Sequence, residues 1–191
     1  MSDLFMFYIG GPVNGANIEI HDVQFAAVES AEEAFPLLAE RWFGEQYNLH
    51  IDCYSRVTWV DGYDVILSPE PPSSDKKLWF INMGGYHEGV FQELHAIRLF
   101  VAETKVEAQQ RAKQEVFTDV LLQHRDNQLD IDECILLAEI QGLHVHLRPN
   151  PEGSDADQPE FLGYQPIGEN VLIGKEGFSR IRAGKDPVPD Y

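Results

Sequence analysis

The sequence predicts an α+β protein made by tandem duplication of a strand-strand-helix-strand-strand unit. Mixed sheets, one helix per copy and a pseudo-twofold arrangement of the copies are expected. Three observations lead there. The chain repeats itself at a nearly constant offset. Each repeat opens with an apolar run stopped by Gly-Gly. Each then carries a capping box at the matching point.

At an offset of 74, Leu4-Phe5-Met6-Phe7-Tyr8-Ile9-Gly10-Gly11 lies over Leu78-Trp79-Phe80-Ile81-Asn82-Met83-Gly84-Gly85. Gly15, Glu19, His21, Glu29 and Phe43 then meet Gly89, Glu93, His95, Glu103 and Phe117. Six extra residues move the offset to 80, so that Leu49, Ile51 and Asp52 meet Leu129, Ile131 and Asp132. Gly62, Val65, Leu67 and Pro69 meet Gly142, Val145, Leu147 and Pro149. The period is too long for a solenoid repeat and suits a duplicated domain. Residues 1–69 form the first copy, 70–77 a Pro/Ser-rich linker and 78–149 the second copy. Residues 150–191 form a second linker and a C-terminal tail expected to pack on the body.

Within each copy the elements follow from local chemistry. Residues 4–9 form a continuous apolar run and residues 78–83 one interrupted only by Asn82, as strands buried on both faces do. Residues 18–28 and 92–102 alternate, which puts His21, Val23, Phe25 and Ala27 on one face, and His95, Ile97, Leu99 and Val101 likewise. Ser30-Ala31-Glu32-Glu33 and Thr104-Lys105-Val106-Glu107 are capping boxes. The helices they open are expected to bury Ala34, Phe35, Leu38 and Trp42 in the first copy. Ala108, Ala112 and Val116, with Phe117 near the end, correspond in the second. Asp61-Gly62 and Gln141-Gly142 mark tight hairpins between two further strands. The helix between strands two and three predicts that these run parallel, while the final pair is antiparallel. Residues 161–181 carry enough apolar side chains for a short hairpin or a strap, and Lys185 to Tyr191 read as a loose end.

Composition narrows the function. There are 14 Lys and Arg against 32 Asp and Glu, a formal charge of −18 with no basic cluster, which disfavours nucleic acid and anionic membrane surfaces. Met1-Ser2-Asp3 has no basic n-region, and the apolar run after it is too short for a signal or a membrane span. Two cysteines, Cys53 and Cys134, make no disulfide framework. A cytoplasmic protein, monomeric or homodimeric, is the expectation.

The run from Leu4 to Gly11, then Gly15, then Glu19-Ile20-His21-Asp22-Val23-Gln24-Phe25, with Trp59-Val60-Asp61-Gly62-Tyr63, resembles the bacterial domain-of-unknown-function family numbered 1543. The resemblance covers nearly all of 4–149 and implies two tandem copies of that domain. It implies no activity and hence no catalytic residues. The second copy departs from it at Ala96, Gln141 and Leu143, where the first has Asp22, Asp61 and Tyr63.

The sharpest chemical signal is Glu-x-His, present as Glu19/His21 and Glu93/His95. Spacing of two on a strand puts both side chains on one face, here in the apolar row. Buried polar groups need partners. Two Glu and two His brought together by a pseudo-twofold would make a ligand set for zinc or another divalent metal, or an acid–base pair. Alternatively, each Glu binds amides of its own glycine loop and each His a backbone carbonyl, and the pairs only shape the fold.

The remaining motifs are weaker. The glycine loops lack the Gly-x-Gly-x-x-Gly order and read as tight turns. Asp52 and Asp132 read as turn or edge residues. Asp126, Asp130, Asp132 and Glu133 look faintly like a calcium loop but lack its glycine. His144 and His146 point away from the apolar row of their strand, and Cys53 reads as an inert core thiol. No nucleophile motif is present. The expectation is therefore a binding module for a small molecule or a protein, without enzymatic activity, formed by two packed copies. A metal-dependent protein or enzyme using Glu19, His21, Glu93 and His95 is the alternative.

Overall fold

A computed structural model describes residues 2–86, 88–115, 129–154 and 159–168. The expectations for Val116, Phe117 and Asp126, and for the tail from residue 169 onward, lie outside these residues. The element order is β1 (Asp3–Gly11), β2 (Ile20–Val28), α1 (Ala31–Arg41), β3 (His50–Arg56), β4 (Trp59–Val60) and β5 (Tyr63–Ser68) in the first copy. The second repeats it as β6 (Lys77–Tyr86), β7 (Glu93–Ala102), α2 (Lys105–Glu115), β8 (Leu129–Leu136), β9 (Glu139–Ile140) and β10 (Leu143–Pro149). A last strand, β11 (Phe161–Pro166), follows both copies. The duplicated α+β unit read from the sequence is therefore present in the fold. No helix among the described residues is long and apolar enough to cross a membrane.

The chain divides into two compact units, one reaching Val57 and resuming at Ala156, the other running from Thr58 to Asp155. In the first unit the strand order is β11-β3-β1-β2. Strands β2 and β3 run in the same direction, as a helical crossover demands, but β1 lies between them. Every ladder contact is consequently antiparallel. Helix α1 covers the face that carries Phe5, Phe7, Ile9, Ala26 and Val28, and it contributes Ala31, Ala34, Leu38 and Ala39 to the core. Trp42, Leu49, Ile51 and Ile167 close that core, while Phe35 is only partly buried.

The second unit contains the equivalent sheet, β7-β6-β8, with Trp79, Ile81, Met83, Phe100 and Ala102 packed against Ala108 and Ala112 of α2. It also contains a four-stranded sheet, β4-β5-β10-β9, in which the closing hairpins of both copies pair along β5 and β10. The stretch leading to the first hairpin turn is broken at Val57 and Thr58 into β3 and β4, and the hairpin leaves its own copy's sheet. A two-stranded ribbon alone has too little buried face to be stable, and pairing two of them supplies it. Val60, Leu67, Val145 and Leu147 are the buried side chains of this sheet. Both hairpin turns are of the expected kind: Asp61 and Gln141 each have φ 53°, followed by Gly62 and Gly142 at φ 85° and 81°.

Two details differ from the sequence reading. The row His21, Val23, Phe25 and Ala27 lies opposite the helix face; the alternate row, with Ala26 and Val28, meets the helix. Residues 25–28 are all apolar, so alternation alone could not set the phase there. The capping boxes are also shifted. In the second copy the Glu107 amide donates to the Thr104 hydroxyl (3.2 Å), but the Glu107 carboxylate accepts from the Glu103 amide (2.9 Å), one residue outside the usual position. In the first, Glu33 accepts from the Glu29 amide (3.1 Å) and Ser30 makes no side-chain cap bond.

Candidate metal centre

The helix-free face of the first sheet gathers four polar side chains around Gly10. The ladder sets Gly10 of β1 beside His21 of β2 and beside His50 of β3. Glu19 precedes β2, and Asp52 lies two residues beyond His50. Glu19, His21 and His50 each offer a ligand atom within 4.8 Å of the other two. The Nε2 of His21 is 3.6 Å from Glu19 and 3.2 Å from Asp52 Oδ2. The Nε2 of His50 is 3.7 Å from Glu19 and 3.3 Å from Asp52 Oδ1. Both carboxylates thus face both imidazoles.

The backbone is shaped for this convergence. In the β1–β3 ladder Ile9 opposes Ile51 and Tyr8 opposes Cys53, which leaves Asp52 as an extra, unpaired residue. In the β3–β11 ladder the register also breaks opposite Asp52, between Leu162 and Gln165. Bulges re-aim side chains and occur often at functional sites. Gly10 supplies the room: a Cβ there would lie 2.7 Å from His21 Cδ2, 2.8 Å from its Nε2 and 3.1 Å from His50 Nε2.

The protonation pattern is partly fixed. His50 is buried, with 3% of its side chain exposed, and its Nδ1 lies 2.7 Å from the Asn48 carbonyl oxygen. A carbonyl only accepts, so Nδ1 carries the proton and donates. Asp52 Oδ2 is buried and has no hydrogen-bond partner. Glu19 and His21, at 44% and 32% exposure, leave the cluster open to solvent on one side. Two tyrosine rings flank it. Tyr8 stacks on His21 (5.1 Å between centroids, 7°), and Tyr164 of β11 stacks on His50 (4.1 Å, 29°). Burial raises both phenol pKa values, and the nearby negative charges of Asp52, and of Glu19 for Tyr164, add to the effect. Burial and Asp52 also push the Cys53 thiol up.

The second copy builds a sparser version. His95 Nε2 lies 3.8 Å from Glu93 and 3.4 Å from Asp132, and the three form the second group able to converge on an ion. The same bulge recurs, with Asp132 unpaired between Ile131 and Glu133 in the β6–β8 ladder. Gly84 again makes room, since a Cβ there would collide with Glu93 Oε1 and sit 2.9 Å from Asp132. Three things differ. The register places Asp130 where the first copy has His50. Asn82 replaces Tyr8 and donates to Asp132 Oδ2 (3.3 Å). His95 is 48% exposed.

Each Glu-x-His pair therefore joins residues from the third strand of its own sheet. The carboxylate of Glu19 faces imidazoles rather than the glycine-loop amides. Asp52 and Asp132, read as turn or edge residues, prove to be cluster members. His50 was missed. Its signal was available: His50-x-Asp52 has the same spacing of two, on the strand beside Glu-x-His, with Asp130-x-Asp132 at the matching offset. His146 instead bonds the Glu70 carbonyl oxygen (2.7 Å), and His144 lies near Glu139.

The family model described as Domain of Unknown Function (DUF1543) matches residues 16–67, a span holding Glu19, His21, His50 and Asp52. No curated protein matches the chain. Among solved structures, the chain is similar to the protein Il1583 from Idiomarina loihiensis, with 29% sequence identity and a TM-score of 0.68. That likeness covers 88% of this chain and 99% of the other. The fold is DUF1543-like, with two structurally similar sheet-helix units.

Proposed function

We propose that this is a metal-dependent protein whose first copy holds zinc or another first-row divalent ion on Glu19, His21, His50 and Asp52. The observation that carries the reading is the orientation of His50. With Nδ1–H donated to the Asn48 carbonyl, Nε2 is the ring atom of a buried histidine that faces two carboxylates. An imidazole nitrogen against carboxylates is repulsive unless a cation or a proton lies between them. An Nδ1–H held by a backbone carbonyl is the usual second shell of a metal-bound histidine.

The distances favour a metal ion over a proton. Two donors each about 2.1 Å from one ion, at angles between octahedral and tetrahedral, lie roughly 3.0–3.4 Å apart. Asp52 meets both histidines at 3.2 and 3.3 Å. A charge-assisted hydrogen bond would close to about 2.7–2.9 Å. Glu19, at 3.6 and 3.7 Å, is exposed enough to move the remaining few tenths. Two imidazoles with carboxylates suit zinc, iron or manganese better than calcium or magnesium. The solvent-facing side leaves a position for an exchangeable small ligand, as in metal sites that bind or transform substrates. We also read residues 4–149 as two copies of the DUF1543 domain, of which the first carries the fuller site.

The test is metal analysis of the natively purified chain with Co²⁺ titration of the stripped protein. Near one tightly held equivalent, cobalt d–d bands and a rise in Tm on loading are expected. Binding at a hundredfold excess over Kd stabilises by about 2.7 kcal/mol. His50→Ala should abolish the bands. Metal-free protein as purified, with neither bands nor a Tm rise on titration, would sink the reading.

A further inference from the structure

We infer that Tyr164 is a positioning residue of this metal site, and that β11 completes the site from outside the duplicated unit. The inference rests on the metal reading above. Tyr164 belongs to neither copy; it arrives on the strand that follows the second linker. That strand pairs with β3 in regular register on both sides of one interruption, Phe161 and Leu162 against Tyr54 and Cys53, then Gln165 and Pro166 against Ile51 and His50. The interruption sets Gly163 and Tyr164 opposite Asp52 alone, so β11 is bulged at the same residue as the β1–β3 ladder.

The consequence is specific. The Tyr164 ring lies 4.1 Å from the His50 ring at 29°, covering one imidazole face while Nδ1 is held by Asn48. His50 is thereby fixed in both translation and tilt. A tyrosine that is 58% exposed contributes little to a core, so core packing does not account for its placement. Its hydroxyl has no protein hydrogen-bond partner among the described residues and lies in the field of Glu19 and Asp52. The second cluster offers the contrast. Among the described residues no strand pairs with the outer edge of β8, and no aromatic ring stacks on His95.

The experiment is Co²⁺ titration of the full chain as wild type, Tyr164→Phe and Tyr164→Leu, followed by visible absorption, with the Tm of each metal-free protein as a fold check. Phenylalanine keeps the ring and should stay within about twofold of wild-type affinity with the same bands. Leucine removes it and should weaken binding about tenfold or more with altered bands, the usual cost of losing a second-shell contact. The metal-free Tm should not move in step. If the leucine variant does not fold, Tyr164→Gln, a polar residue suited to this exposure, makes the same comparison. Wild-type affinity and spectrum in the ring-less variant would overturn the inference while leaving the metal site standing. Equal loss in the phenylalanine variant would overturn stacking as the cause. Absence of cobalt bands in the wild type would remove both proposals together.

Discussion

One added methyl group separates the site from the fold that holds it. In Gly10→Ala the new Cβ would meet His21 at 2.7–2.8 Å and His50 Nε2 at 3.1 Å, against 3.4 Å or more for an ordinary contact. Gly10 is not among the positive-φ residues, so alanine is conformationally allowed there. His50 is buried and held by Asn48, whereas His21 is one-third exposed and can swing out. A rotamer shift of that kind costs about 0.5–1.5 kcal/mol. Replacing a strand glycine returns roughly 0.5–1 kcal/mol of backbone entropy. The metal-free protein should therefore keep its stability within about 1 kcal/mol. The metal site should not survive: relieving the overlap moves the His21 ring by about 0.6 Å, beyond the roughly 0.5 Å a preorganised constellation tolerates. At least a tenfold loss of affinity, about 1.4 kcal/mol, is expected. Urea unfolding of the stripped protein and competitive Zn²⁺ titration against a chelator measure the two quantities separately. Wild-type zinc affinity would refute the cradle, and a metal-free loss above about 2 kcal/mol would mean that the glycine serves the backbone instead.

Asp61→Ala should destabilise the second unit by about 2–4 kcal/mol in urea, because Asp61 Oδ2 accepts from Arg111 (2.7 Å) and from the Val101 amide (2.8 Å), and alanine disfavours φ 53°. Asp61→Asn should lose about half as much; equal losses would place the whole effect in charge. In a competitive titration the second cluster should take up metal at least tenfold more weakly than the first, and His95→Ala should leave the first equivalent bound, while the reverse order would mean that the second copy carries the working site. Cys53 should react with a disulfide reagent at pH 8 more slowly than free cysteine, since burial and Asp52 disfavour its thiolate; faster reaction would place the thiol outside the Asp52 field.

The duplication, the helix positions and both hairpin turns were legible in the sequence because each has a local cause. Capping residues and Asp-Gly or Gln-Gly at left-handed positions act within a few residues of where they stand, whereas Gly10-Gly11 and Gly84-Gly85, read as strand stops, lie inside β1 and β6. What could not be read was long-range pairing. Nothing near Tyr63–Ser68 says that β5 will pair with β10 rather than remain in its own copy's sheet. For the same reason Glu-x-His was visible and its completion was not. Its two residues are adjacent along the chain, whereas His50 and Asp52 reach them only because β1 lies between β2 and β3. The bulge that leaves Asp52 unpaired carries no sequence mark at all.

The comparison of the two clusters bears on what the duplication retained. Both keep the glycine, the Glu-x-His pair, the bulged aspartate and the strand order. Folding alone does not require a bulge at one ladder position in both sheets, together with a glycine whose missing Cβ would strike the same polar side chains. A shared site does. The second copy then departs at the places where the first acquires its nitrogen-rich, shielded character: aspartate for His50, asparagine for Tyr8, and no described strand over the β3-equivalent edge. Asn82 donates to Asp132, whereas Asp52 has no amide donor and faces His21 and His50 Nε2 at 3.2 and 3.3 Å. The asymmetry between the copies is thus best located in the partners of the bulged aspartate: two imidazole nitrogens for Asp52, one imidazole and an amide for Asp132.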